Sequence, residues 1–177
     1  MATEHDKEVL KQILNPLMPG SDLTEIEEDA PIEHSGYAEA RKIEVEGVKK
    51  AEQEKNYEEA VQLFTTAIEV CPVAPSCYNN RAQAMQLMNR QDDAIKDLDE
   101  AIRLSEGKGR SACNAYTQRA MIQRLNGDND AARADYDKAA KLGSNYARLQ
   151  LAVLNPYAAM CNAALAKIKQ DLREGKA

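Results

Sequence analysis

A chain of 177 residues is one domain's worth of polypeptide, and 44% hydrophobic residues suffice for a core. Mean hydropathy of −0.60 and the absence of any apolar run near the ~18 residues of a membrane span point to a soluble protein. Net charge is −6, but residues 1–35 hold nine acids against two bases and carry −7, so the rest is close to neutral at +1. Neither part shows the basic footprint that nucleic acid or an anionic membrane requires, so neither is expected as a partner.

Residues 3–14 read as a short amphipathic helix, with Thr3 as its cap and Val9, Leu10, Ile13 and Leu14 on one face. No basic flank or signal-type apolar stretch precedes it, so the expected location is the cytosol. An acidic leader follows to residue 35, with Leu23, Ile26 and Ile32 scattered through it. Two readings of this leader stand: a mobile tail, or a segment that docks its apolar residues on the rest of the chain.

Helices are expected over 37–53 and 56–70, the second ended by Pro72. The stretch 78–104 reads as two antiparallel helices joined at Asn89-Arg90-Gln91. The second helices share a pattern: Ala60, Phe64 and Ala67 correspond to Ala94, Leu98 and Ala101, and then to Ala132, Tyr136 and Ala139. In each trio the large residue comes four positions after the first alanine, and the second alanine three after that. That spacing places all three on one helical face, with small residues where a neighbouring helix must come close. The first step is 34 residues, a helical-repeat period; the second is 38, so four residues are added, assigned to a flexible or extended corner at 106–110. Asn126-Gly127 turns the third pair. Helices over 145–154 and 158–172, the latter restarted by Asn155-Pro156, read as a cap over the open end of the array.

These residues resemble the tetratricopeptide repeat family. Asn80-Arg81-Ala82 is typical of the family, and the alanine trios match its second helices. Repeat one departs, with Glu44 and Gly47 in place of the usual aromatic and aliphatic residues. The resemblance implies an all-α fold: three helix-turn-helix repeats at about 37–72, 75–107 and 110–143 stacked as a right-handed solenoid, with 1–36 as helix and leader and 144–177 as capping helices.

The resemblance implies binding rather than catalysis, through a concave groove lined by the first helix of each repeat. The family's best-known ligand is the acidic C-terminal tail of heat-shock chaperones, held by a clamp of two Lys, one Arg and two Asn. Here Val45 and Lys49 stand where that pattern has Lys and Asn, Asn80 matches, and Asn114 and Gln118 stand for Lys and Arg. Each charge-assisted bond to a carboxylate contributes roughly 1.5–3 kcal/mol, so losing three weakens tail binding by orders of magnitude unless Lys42, Lys49 or Arg124 compensates. What the groove offers instead is amides: Asn79, Asn80 and Gln83, then Asn114, Thr117 and Gln118, with Met121 and Arg124 beyond. Asn and Gln both donate and accept, so they can pair with an extended peptide's backbone.

The expected function is therefore a non-catalytic cytosolic adaptor, co-chaperone-like, that binds a partner protein or extended peptide. The alternatives are a heat-shock co-chaperone despite the altered clamp, or a stabilising partner of a client enzyme. Self-occupancy of the groove by the N- or C-terminal helix is a further possibility. No nucleophile set, phosphate loop or metal-ligand spacing appears in the repeats, neither histidine lies there, and Cys71, Cys77, Cys113 and Cys161 are read as reduced packing residues, so no cofactor is expected.

Overall fold

The computed structural model describes residues 26–155 and a few positions between 164 and 174; the expected helix over 3–14 and most of that over 158–172 lie outside the described residues. Seven helices are bounded among the described residues, which include no strand: α1 Tyr37–Glu52, α2 Tyr57–Val70, α3 Pro75–Leu87, α4 Gln91–Leu104, α5 Gly109–Leu125, α6 Asn129–Lys141 and α7 Asn145–Val153. Short connections force successive helices to run antiparallel, and each packs on the next in chain order. Beyond these pairings, α1 touches α3 and α3 touches α5. These first helices therefore form a layer of their own along the array.

Local chemistry sets the helix ends. Asn56 accepts a bond from the Glu59 N–H and donates its own amide to the Glu59 carboxylate, a reciprocal cap for α2. Asp128 and Ser144 cap α6 and α7 by accepting from the N–H groups of Ala131 and Ala147, and Pro75 occupies the first turn of α3. Within the three pairs the turn is closed by a residue in left-handed conformation at equivalent positions, Lys55, Asn89 and Gly127. Only the last is the glycine that such a backbone favours.

All nine residues of the alanine-large-alanine trios are at most 1% exposed. Phe64 packs with Ala60 and Ala84; Leu98 joins Ala94, Ala101, Ala82 and Ile122; Tyr136 joins Ala132, Ala139, Ala120 and Ala147. Two ion pairs brace the second and third helix pairs in the same way. Arg81 meets Asp97 at 2.7 Å through two guanidinium nitrogens, and Arg119 meets Asp135 at 2.7 and 2.9 Å. Each arginine also lies over a tyrosine of its own helix, Tyr78 or Tyr116.

The first pair lacks the arginine brace, because Gly47 stands where α3 and α5 carry the arginine; a lysine pair, Lys50 to Glu59 at 3.2 Å, bridges its two helices instead. A Cβ at Gly47 would come within 2.7 Å of the Phe64 ring. The missing side chain is what lets that ring lie close against α1.

The corner at 106–110 is not the extended insertion that composition suggested. The chain turns at Ser105–Gly107 and is helical again from Gly109. At 17 residues against 13, α5 is four residues longer than α3, so the added residues form one extra helical turn at its start.

Gly47→Ala is expected to lower stability by about 1–2 kcal/mol in urea melts: overpacking against Phe64 costs more than the helix gains from losing a glycine. Gly47→Ala/Phe64→Leu should recover most of the loss. Burial raises the Cys77 thiol from 9.0 to about 12 and the Tyr136 phenol from 10.0 to about 12. The unfolded chain releases these protons first, so the stability they contribute is complete below pH 9 and declines as pH rises towards 12. Melts between about pH 8 and 11 should show that decline, less steep in Cys77→Ala.

Candidate functional site

The exposed side of α1, α3 and α5 carries the candidate site. On α3, Asn80, Gln83 and Leu87 fall in one line along the helix, and the equivalent line on α5 is Gln118, Met121 and Leu125. Towards the helix C-termini these lines become apolar and open, with Leu87 58% and Leu125 77% exposed. Beside α3, Val48, Ala51, Tyr57, Phe64, Ala84 and Leu87 line a cavity of about 220 Å³, with Asn80 and Gln83 at its polar side. That volume suits one or two apolar side chains of a bound segment.

Of the ten residues picked out from sequence, Lys42, Lys49, Gln83, Asn114, Met121 and Arg124 are exposed. Arg124 reaches across to donate to the Gln150 side chain on α7. Thr117 donates to the Cys113 carbonyl, and Gln118 accepts from Gln86 at 3.2 Å, bridging α3 and α5. Asn79 is 3% exposed and donates to the Ser111 carbonyl at 2.9 Å, so it ties α3 to α5 rather than facing solvent. Such a seam position is hidden from a sequence reading, since Asn79 and Asn80 are neighbours that point to different sides of one helix.

Asn80 is engaged as well. Its amide donates to Glu44 at 2.7 Å, and Arg41 holds the other carboxylate oxygen at 2.5 Å. Glu44 is 1% exposed, a charge taken out of water and satisfied by these two groups. The bond to Glu44 raises the Arg41 pKa above its ordinary value. The one amide that matched the family's carboxylate clamp thus already binds a carboxylate of its own chain.

Residues 26–34 run without regular structure along the starts of the first helices, from α1 back to α5. Asp29 accepts from the Ser111 N–H at 2.8 Å and the Ser111 hydroxyl at 2.5 Å, and Glu28 pairs with Arg110 at 2.5 Å. No residue of its own caps α5, and Asp29 supplies the cap from 82 positions away. Gly109, at φ +72°, makes the approach possible: a Cβ there would meet the Asp29 carboxylate at 2.6 Å. The part of the leader within the described residues is therefore docked. Sequence reading missed Asp29, Glu44, Leu87 and Leu125 as members of this face. The leucines did leave a signal, being apolar at equivalent positions 38 apart on otherwise polar helices.

An array of helix pairs with one exposed first-helix face defines a helical-repeat interaction module. The tetratricopeptide repeat model matches residues 75–108 and 114–146. The first tetratricopeptide repeat domain of Spaghetti (RPAP3), solved with the HSP90 peptide SRMEEVD, superposes with a TM-score of 0.61 at 23% identity, over 70% of this chain and 95% of that one. The Sgt2 domain from Aspergillus fumigatus gives 0.62 at 22%, over 76% and 88%. Along nearly its full length the chain is 51% identical to tetratricopeptide repeat protein 36 of Caenorhabditis elegans, covering 99% of both. It is 40% identical to the Homo sapiens protein of that name, over 98% of this chain and 97% of the relative. The chain belongs to the tetratricopeptide repeat protein 36 family.

Asn80→Ala is expected to lower stability by about 2 kcal/mol, because it strips a partner from a buried carboxylate. Asn80→Ala/Glu44→Leu should cost less than Asn80→Ala alone in the same urea melts.

Proposed function

We propose that this protein is a non-catalytic cytosolic adaptor that holds a partner protein on its first-helix face, in the manner of a co-chaperone. The observation that carries this reading is the doubled line of Asn80-Gln83-Leu87 and Gln118-Met121-Leu125. It is polar at its start and ends in the exposed Leu87, Met121 and Leu125, with the cavity walled by Phe64 and Leu87 beside α3. A partner helix or extended segment would bury the leucines, while Lys42, Lys49, Asn114 and the amides engage its polar groups. The tetratricopeptide repeat match and the structural neighbours solved with bound peptides support the reading as a protein-interaction module. Among the described residues no group of three or more His, Cys, Asp or Glu side chains is placed to hold a metal ion.

Recognition of a heat-shock chaperone tail is the second reading, favoured by the structural neighbours solved with HSP90 and HSP70 peptides. Against it stand the engaged Asn80 and the neutral side chains of Val45, Asn114 and Gln118. A role as stabilising partner of a client enzyme fits the same face and differs only in the identity of the bound protein.

Leu87→Ser/Leu125→Ser is expected to fold with unchanged helix content and to lose at least about tenfold in affinity for a partner captured by the wild type, read by calorimetry with the purified pair. An unchanged affinity would remove this face from the account. The peptide SRMEEVD should bind the wild type at least about a hundredfold more weakly than it binds Val45→Lys/Asn114→Lys.

A further inference from the structure

Residues 26–34 hold a place that a partner's chain could hold. The added turn of α5 distinguishes the third repeat from the second, and its contacts with the leader are made by that turn: Gly109 gives the clearance, Arg110 the cation, Ser111 the two donors. At its α1 end the leader packs Ile32 on the buried cluster of Ala40, Ala67, Cys71, Ala74 and Cys77, whereas its grip on α5 is polar and narrow. Glu28 and Arg110 are both more than half exposed, a pairing that contributes little in water, so Asp29 provides most of the hold on α5. Beneath the leader, space remains open: a cavity of about 530 Å³ separates it from Arg41, Asn79, Asn80 and Asn114. Asn79 is among the residues lining this cavity, 3% exposed, and its side-chain oxygen lies just beneath the surface without a hydrogen-bond donor. A segment seated more deeply than the leader would offer that oxygen a backbone N–H.

We propose that the first turn of α5, with Asn79 behind it, is a receptor site for an acidic, extended segment of a partner protein, and that Glu28-Asp29 occupies it as a tethered stand-in. The leader's own sequence argues the ligand chemistry, since a pair of adjacent carboxylates is what Arg110 and the Ser111 donors hold now. The short link from Pro31 to α1 keeps the leader at high effective concentration, so a partner binds only as the leader yields. This rests on the reading of the protein as an adaptor, and it assigns a second contact, at the opposite end of the helices from Leu87 and Leu125.

The test uses the full chain and a fluorescent peptide of residues 26–34 as the probe. Glu28→Ala/Asp29→Ala should bind the peptide at least about tenfold more tightly than the wild type, as expected when a tethered competitor is removed. Adding Arg110→Ala/Ser111→Ala should abolish the gain, and a peptide with Gln and Asn for the Glu-Glu-Asp carboxylates should not bind. Equal binding by released and wild-type protein, or a gain that survives Arg110→Ala/Ser111→Ala, would overturn the proposal. Should the released variant lose its helix content, hydrogen exchange of the wild type decides instead. The Ser111 amide should exchange through a local opening far faster than the amides of α3, and exchange only by global unfolding sinks the idea. A wild-type dimer in light scattering that Glu28→Ala/Asp29→Ala dissolves would also overturn it, assigning the site to a second copy. Leu87→Ser/Leu125→Ser should leave peptide binding unchanged, which separates failure of this site from failure of the adaptor face.

Discussion

Close approach of helix to helix is the constraint on which this structure depends. Ala60, Ala67, Ala94, Ala101, Ala132 and Ala139 are fully buried. They let the second helix of each pair come close enough for a single large residue, Phe64, Leu98 or Tyr136, to fill the remaining space. With one Phe and no Trp in the chain, the core has few bulky side chains to draw on. It obtains its cohesion from density, because many close contacts between small groups add up to what a few large side chains would supply. The ion pairs Arg81–Asp97 and Arg119–Asp135 follow from the same closeness, since their side chains bridge helices already in contact.

The first helix pair solves the problem differently, and its solution shapes the face. Gly47 replaces the bracing arginine and admits the Phe64 ring, which in turn forms a wall of the cavity beside Leu87. One turn earlier, Glu44 is buried against Arg41 and Asn80. Both departures from the family pattern therefore act on the exposed first-helix face: one opens an apolar recess, the other places a carboxylate beside Asn80 from within the chain. At the Leu87 end this face is apolar and exposed. At the other end the leader's acids already stand on Arg110 and Ser111.

Periodicity made the fold legible. The trio spacing identified the second helices, the helix start at Asn56 and the turn at Gly127 were readable locally, and the 38-residue step announced an insertion. The form of that insertion was not readable, because Gly107 and Gly109 suggest an open corner and both do adopt positive φ. Helix resumes at Gly109 since the leader supplies the cap that the local sequence lacks, an interaction 82 residues distant. The braces were legible in principle: Arg81 with Asp97 and Arg119 with Asp135 share a separation of 16, a repeat within the repeat.

By itself, then, the sequence determined the helices, their pairing and the class of the protein, all of which arise from interactions within about one repeat length. Tertiary structure decided which polar residues of the first helices are free to act. Asn79, Asn80, Gln83 and Asn114 are chemically alike in sequence, yet the first two are spent on Ser111 and Glu44 while the others face solvent. The reason is physical: a buried polar group must be paired inside the protein, and only the packed array determines which groups are buried.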